Sequence, residues 1–367
     1  TPTPPPPILS GLVGSEMCIR DRANTVHSIE SVQFVLSHYP SDCRSGQIQP
    51  LGSAGGFSGA EFWKVLSLRG PLCVRRWPKD HPPQSRIDFI HRLLRHVVQE
   101  GFTLVPAPIP LDSDPCQTHL KFAGHFWELT PWMPGDADYQ QSPSNEKLQA
   151  AMRALAGFHQ AASNCISVSP ELGVPRTVQD RIEQVNTWIH SDLARLESHT
   201  GQLNNIKIQG LPQWKKLIIN HAKQHLNEVR MALHAISDCK VPIQACIRDI
   251  WHQHILYRGD KVSGLIDFGA ARPDTVAADL TRLLGSLTAD NKSKWNCGLD
   301  AYDSVRPLSD RERSLIIPLD QSAILLAGLN WLRWLYLENR SFSDETAVEE
   351  RMQQIVTRLE IARTKTN

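Results

Sequence analysis

The sequence predicts an α+β protein of two lobes, a small antiparallel-sheet N-lobe followed by a larger, mainly helical C-lobe. Three observations carry that prediction. Short apolar runs broken by glycine-containing turns mark the chain as far as residue 130. "PWMPG" at 131–135 then interrupts the pattern with two prolines and a glycine. Beyond it, apolar residues recur at helical spacing over long stretches. At 367 residues the chain is long enough for two cores. The expected organisation is a non-native or disordered tail over 1–22, an N-terminal lobe over 23–130, a hinge over 131–135 and a helical lobe over 136–367. A cleft between lobes is where such a plan places a small ligand.

The tail reads "TPTPPPPILSGLVGSEMCIRDR" and resembles a translated sequencing-adapter fragment, so it is set aside. Its "CIRD" and the same four letters at Cys246–Asp249 are a coincidence, not a repeat. Apolar residues at 41% and charged residues at 21% are ordinary for a globular chain, and a formal net charge of +1 without like-charge blocks gives no nucleic-acid footprint. Eight cysteines without a C-x-x-C pair read as free thiols in a reducing, cytoplasmic setting. No apolar run has the length of a membrane span. Ala323–Tyr336 comes nearest and is interrupted by Asn330 and Arg333.

The elements follow in order. Ile29, Val32, Val35, Leu36 and Tyr39 predict an amphipathic helix over 25–39. Phe62–Leu68 and Leu72–Trp77 predict two strands turning at Arg69–Gly70, preceded by the glycine-rich Gly52–Gly59. Ile87, Ile90, Leu93, Leu94 and Val97 mark one face of a basic helix over 84–100. "THLKF" and "HFWELT" predict a hairpin turning at Ala123–Gly124. Helices are expected over 146–162, 176–198, 211–236, 275–288 and 310–338, with Asp274–Thr275 as an N-cap and Trp331 and Trp334 in the core.

The chemistry concentrates in "CIRDIWHQHILYRGDKVSGLIDFG", Cys246–Gly269. Gly259–Asp260 suits a two-residue type II′ turn. That turn pairs Arg258 with Lys261, Leu256 with Ser263 and His254 with Leu265. It also sets His252, His254 and Asp267 on one face, with Asp249 just before the first strand. Two carboxylates and two imidazoles then share a small volume, which is what phosphoryl transfer needs. One carboxylate takes the acceptor proton, and the other, with a neighbouring ligand, holds metal against the nucleotide phosphates. The glycine-rich loop can bring backbone N–H groups to phosphate, and Arg75 on the next strand can reach the same groups.

At this point the chain resembles the aminoglycoside phosphotransferase and choline-kinase-like group, small-molecule kinases with the protein-kinase-like fold. The resemblance covers most of 45–340. It runs through "LGSAGGFSGAEFWKV", "LCVRRWP", "WELTPWMPG", "ALAGFHQAA", "IRDIWHQHI", "GLIDFG" and "DTVAADLTRLLGSL" in the family's order. It implies a nucleotide loop at Gly52, Ser53, Gly55, Gly56, Phe57 and Ser58, with Arg75 as the phosphate-pairing cation. It further implies an adenine-holding backbone around Pro131 and Met133, a catalytic base at Asp249 beside Arg248, and metal ligands at Asp267 and His254. Asp279 stands at the family's acidic position and His159 at its helix-ending histidine, most simply a satisfied core residue. The chain departs from the family at four places. Ile247–Arg248–Asp249 replaces His-Gly-Asp, His254 replaces an asparagine ligand, Arg75 replaces lysine, and the 84–100 helix offers only Asp88, out of register, as an acidic partner.

The function expected is transfer of the γ-phosphoryl group of ATP or GTP to a hydroxyl of a small molecule, with Mg²⁺, or Mn²⁺ because of the imidazole of His254. Nucleotide and a small hydroxylated acceptor are the expected partners, with no nucleic acid and no membrane. The segment from Asp267 to Asp279 is too short for a phosphorylation-controlled loop. Lys215, Lys216, Lys223 and Arg230 disfavour a polycationic acceptor. Two alternatives stand beside this reading. One is a catalytically impaired pseudokinase acting as a nucleotide-binding or interaction module. The other is a metal-dependent hydrolase built on His252, His254 and Asp267.

Overall fold

Strict alternation builds the first sheet. In β2 (Glu61–Ser67), Trp63 and Val65 point one way, as do Leu72 and Val74 in β3 (Gly70–Arg76) and Trp127 and Leu129 in β5 (His125–Pro131); all six are buried. The sheet is antiparallel in the order β1-β2-β3-β5-β4, with β1 at Gln47–Gly52 and β4 at His119–Phe122. The computed structural model describes residues 29–364 apart from 45, 53–58, 80, 166–170, 200–207, 209, 341, 343 and 344. Residues 29–36 form α1, whose Val32, Val35 and Leu36 close the sheet's core with Tyr39 and with Cys43 of the short α2 (Ser41–Arg44). Trp63 and Trp127 stack at 5.3 Å in its centre. Truncating either to alanine would cost about 3–5 kcal/mol.

The chain forms two compact units that divide differently from the expected lobes. The first runs to Ala154, within α4 (Asn145–Ala161), and takes back Gln253–Gly269; the second holds Leu155–His252 and everything from Ala270. The "PWMPG" stretch thus lies inside the first unit. In that unit α3 (Gln84–Gln99) buries Ile87, Ile90, Leu93, Leu94 and Val97, the face its periodicity predicts. The β4–β5 hairpin turns at Ala123 and Gly124, both at positive φ. The β2–β3 turn falls at Leu68–Arg69, one residue before the position expected from Gly70. β1 was not expected as a strand. Pro50 removes a donor, and the strand is accordingly at the sheet's edge.

The hairpin of β8 (Ile255–Arg258) and β9 (Lys261–Leu265) also belongs to the first unit. Gly259 turns it at φ 60°, and Arg258 pairs with Lys261 as predicted. A bulge then shifts the ladder, so Leu256 faces Gly264, and Ile255, not His254, faces Leu265. Residues His252–His254 form a tight turn instead of extending the strand.

The second unit packs α5 (Arg176–Thr187), α7 (Leu211–Ala235), α8 (Val276–Thr288), α10 (Asp310–Leu332) and α11 (Glu345–Thr364) beside a small sheet of β6 (Glu171–Gly173), β7 (Val241–Cys246) and β10 (Arg272–Asp274). α6 (Leu193–Ser198) continues α5 after a wider turn at Trp188–Asp192, and α10 ends in a similar turn at Arg333–Leu337. Arg333 joins those two turns, pairing with Asp192 at 2.8 Å and covering the Trp188 ring at 4.7 Å. α9 (Lys292–Asp303) and α11 lie outside the helices the sequence predicted. The helical stretch Asp310–Leu337 is long and apolar enough to cross a membrane, contrary to the expectation from the sequence, but over half of its most apolar window is buried in the fold.

Candidate active site

β7 delivers the chain into the loop that carries Asp249, and α8 holds that loop from below. Asp279, in the first turn of α8, is fully buried. Its two oxygens accept the N–H groups of Ile247 and Arg248, each at 2.7 Å. His159 Nε2 lies 3.0 Å from the same carboxylate, and its Nδ1 lies 2.8 Å from the Tyr302 hydroxyl. With an ionised Asp279 this assigns the proton to Nε2 and leaves Nδ1 as acceptor. Burial holds His159 below the usual imidazole range, against the pull of Asp279. Arg248 occupies a left-handed φ of 73°, which explains why glycine is the family's usual residue there. Its guanidinium is pinned on buried Asp274, which also accepts from the Thr177 N–H and hydroxyl. The next side chain, Asp249, is half exposed and pairs with Arg282 of α8.

The first unit holds a second constellation. Arg75 and Arg76 alternate across the sheet. Arg76 covers Trp63 and Trp127 and pairs with Glu61. Arg75 points to the other face, lying 3.4 Å over the Trp77 ring. Its cross-strand partner is Glu128 of β5, 3.9 Å away. Glu128 is buried and accepts from Trp77 Nε1 at 2.7 Å, with His91 Nε2 of α3 also at 2.7 Å. Burial would raise its pKa, but the hydrogen bond and charge of His91, with Arg75 and Trp77, hold it below the usual carboxylate range. A Cβ placed on Gly269 would lie 3.3 Å from Asp267 Oδ1 and 3.5 Å from Arg75 Nη2, so carboxylate and guanidinium converge on one spot. Asp267 sits at φ 61° with His254 Nε2 3.5 Å from its Oδ2.

The hairpin bearing these groups is docked on the segment after β5. Asp136 and Tyr257 exchange backbone hydrogen bonds of 3.0 and 2.9 Å, and the Ser263 hydroxyl donates to the Pro134 carbonyl. Met133 packs against Gly264, and Trp132 N–H bonds the Pro71 carbonyl.

The sequence model of the phosphotransferase enzyme family matches residues 52–314. The chain belongs to that family. Among curated relatives, a homoserine kinase of Methylobacterium nodulans is 37% identical over 296 residues, covering 76% of this chain and 78% of that protein. A homoserine kinase of Rhizobium johnstonii is 33% identical over 286 residues, covering 75% and 77%. Among solved structures, a spectinomycin phosphotransferase in complex with ADP and spectinomycin superposes with a TM-score of 0.65 at 12% identity, over 92% of this chain and 97% of that one. The protein is therefore a small-molecule kinase with an alcohol acceptor, on the protein-kinase-like fold.

Against the family's pattern, the expected site residues fall as follows. Asp249, Arg248, Asp267, His254, Arg75, Pro131 and Met133 are described above. Of the loop, Gly52 and Gly59 are described, with φ of 61° and 74°. Ser53, Gly55, Gly56, Phe57 and Ser58 lie outside the described residues. Of the common face expected for His252, His254 and Asp267, only the meeting of His254 with Asp267 remains; the bulge and the tight turn over His252–His254 take His252 away. His252 is buried in the second unit with its N–H on the Ser286 hydroxyl. Asp88 pairs with His119 at 2.7 Å. The acid facing Arg75 comes from strand β5, not from α3, and its signal in the sequence was the alternation of "WELT", which sets Glu128 on the face opposite to Trp127 and Leu129.

One group of metal-type donors among the described residues, His159, Cys246 and Asp279, is fully buried. Each is engaged in the fold: Asp279 accepts the two loop amides, His159 lies between Asp279 and Tyr302, and the Cys246 thiol donates to the Asp274 carbonyl. Burial, then the nearby Asp279 and Asp274, push that thiol well above its usual range, so it stays protonated and is a poor ligand. The group is a structural clamp.

Proposed function

We propose that the protein transfers the γ-phosphoryl group of ATP to the hydroxyl of a small hydroxy-amino acid, with homoserine the first acceptor to test. The observation that carries this is the convergence of Arg75 and Asp267 beside Gly269. A fixed cation and a carboxylate meeting at one open point are the complement of a metal–triphosphate. Arg75 would hold phosphate oxygens, kept in place by Glu128 and Trp77. The loop from Gly52 to Gly59 would cover the phosphates. The carbonyl of Pro131 and the backbone of Met133 would hold adenine; Pro131 has no N–H to offer.

Asp267 and His254 would hold a divalent cation, which would supply positive charge against the phosphates. Their donor set, one half-exposed carboxylate and one imidazole, fits Mn²⁺ as well as Mg²⁺. Asp249 accepts the hydroxyl proton while the acceptor oxygen bonds to the γ-phosphorus and ADP leaves. The Asp279 clamp fixes the backbone from which Asp249 projects, so the base needs little reorganisation. Homoserine is suggested by the relatives named above, which share about a third of the sequence.

A second reading, a nucleotide-binding module without turnover, is favoured by one observation: Asp249 is already engaged by Arg282. Two measurements separate the readings. Thermal midpoints with ATP and Mg²⁺ or Mn²⁺ are expected to rise for the wild type and not for Asp267→Ala. ADP release with homoserine is expected to fall about 10²–10⁴-fold in Asp249→Asn. Nucleotide stabilisation without turnover on any hydroxylated acceptor would select the module reading. No metal-dependent stabilisation would remove the kinase reading.

A further inference from the structure

The catalytic reading uses Asp249 but leaves unexplained the arginines around it. Arg282 pairs with Asp249. Arg351, from α11, lies 4.4 Å over the ring of Trp251, two residues beyond Asp249, and bonds the Gln354 side chain at 3.3 Å. Among the described residues no carboxylate lies within ion-pair distance of Arg351. Burial, then the charge of Arg282, lower its basicity to about 10, with Asp249 acting the other way, so the three groups share one electrostatic neighbourhood. The other acids of this unit nearby are committed: Asp274 to Arg248, and Asp320 to Arg358 at 2.7 Å. A further cation, Arg181, donates to the Leu319 carbonyl and the Ser322 hydroxyl and adds to the positive field.

Two guanidiniums, one paired with Asp249 and one over the Trp251 ring two residues on, therefore share this region with one carboxylate. A partly buried cation without an ion-paired carboxylate of its own is costly, and arginine's planar fork matches a carboxylate in two parallel hydrogen bonds. The proposed chemistry says which ligand brings the anion. Asp249 receives the acceptor's proton, so a group beside Asp249 meets the acceptor; the donor's phosphates have Arg75 and Asp267.

We propose that Arg351, assisted by Arg282, is the subsite for a carboxylate on the acceptor, so that the substrate is a hydroxy-amino acid and not an amino sugar or a simple amino alcohol. This rests on the kinase reading above and adds to it the group that selects the substrate. The amine of the acceptor contributes little to that choice, because the surplus charge here is positive.

The test compares acceptors that differ only by the carboxylate. The full chain is assayed for kcat/KM with homoserine against 3-amino-1-propanol, serine against ethanolamine, and threonine against 1-amino-2-propanol. The wild type is expected to favour the carboxylate member of its best pair by about 100-fold or more. Arg351→Met is expected to lose about 30- to 100-fold on that member, mainly in KM, with little change on the amino alcohol and none in the KM for ATP. Arg351→Lys retains part of the preference. Calorimetric binding of the amino acids in the presence of a non-hydrolysable ATP analogue gives a readout that needs no turnover, and also covers a variant with altered stability. Binding lost in Arg351→Met, without turnover in the wild type, would keep the subsite and remove the kinase reading. Equal use of both members, an equal loss on both in Arg351→Met, or no binding of any hydroxy-amino acid would overturn the proposal.

Discussion

In the proposed kinase, Glu128 would do the work of an acid that α3 does not supply. The cation on β3 needs an acid to aim it, and α3 supplies none in register. The cross-strand neighbour supplies it instead, because residues opposite each other in an antiparallel ladder share a face. His91 of α3 then secures the acid, so helix and cation stay linked through an intermediary. Glu128→Gln keeps the shape but removes the charge that aims Arg75. The KM for ATP is expected to rise about tenfold, equivalent to about 1.4 kcal/mol, with a smaller change in kcat. A purely structural Glu128 would lower the thermal midpoint and leave that KM unchanged, which steady-state kinetics below the melting range would reveal.

At the scale of elements, the site depends on how the β8–β9 hairpin docks. Asp267 follows β9 directly, and the hairpin rests on residues 134–136 through backbone bonds and the Ser263 hydroxyl. Gly135 makes that approach possible. Its φ is 104°, and a Cβ there would collide with the Ser263 hydroxyl and the Tyr257 carbonyl. Gly135→Ala is expected to cost at least about 1–3 kcal/mol in denaturant unfolding, and to weaken the metal-dependent ATP stabilisation because the hairpin carrying Asp267 shifts. An unchanged denaturation midpoint would show that the contact yields without cost.

For the whole molecule, buried ionisable groups set the response to pH. His159 is neutral in both states above about 6.5, its ordinary value. Below that, the unfolded chain takes a proton that the folded protein refuses until lower pH, so stability falls as pH falls. Glu128, held below its ordinary 4.5, has the same sign in a lower window: its stabilisation is present above 4.5 and lost as pH drops through the folded value. The unfolding free energy from denaturant titrations is expected to decline from pH 7 to 5.5, by up to about 1.4 kcal/mol per pH unit for the one proton at His159. His159→Gln should flatten that slope even if it lowers stability overall. A slope equal to that of the wild type would place the titration elsewhere.

The fold class and much of the local structure were legible in the amino-acid order alone. Period-2 alternation gave β2, β3 and the β4–β5 hairpin, and helical spacing gave the buried face of α3, because these patterns state which side of an element meets the core. Ordered motifs gave the family and the positions of Asp249, Asp267 and Arg75. Other features were decided only by tertiary structure. The bulge in β8–β9 moved His254 out of the ladder, since a one-residue shift reverses every side chain and depends on what the hairpin packs against. β7 and α11 carried no pattern strong enough to single them out. Glu128 and Arg351 gained their meaning from partners far away in the chain: a cation facing an acid across a ladder, and an arginine brought beside a loop a hundred residues earlier. Local periodicity records burial, whereas charge matching depends on which elements meet.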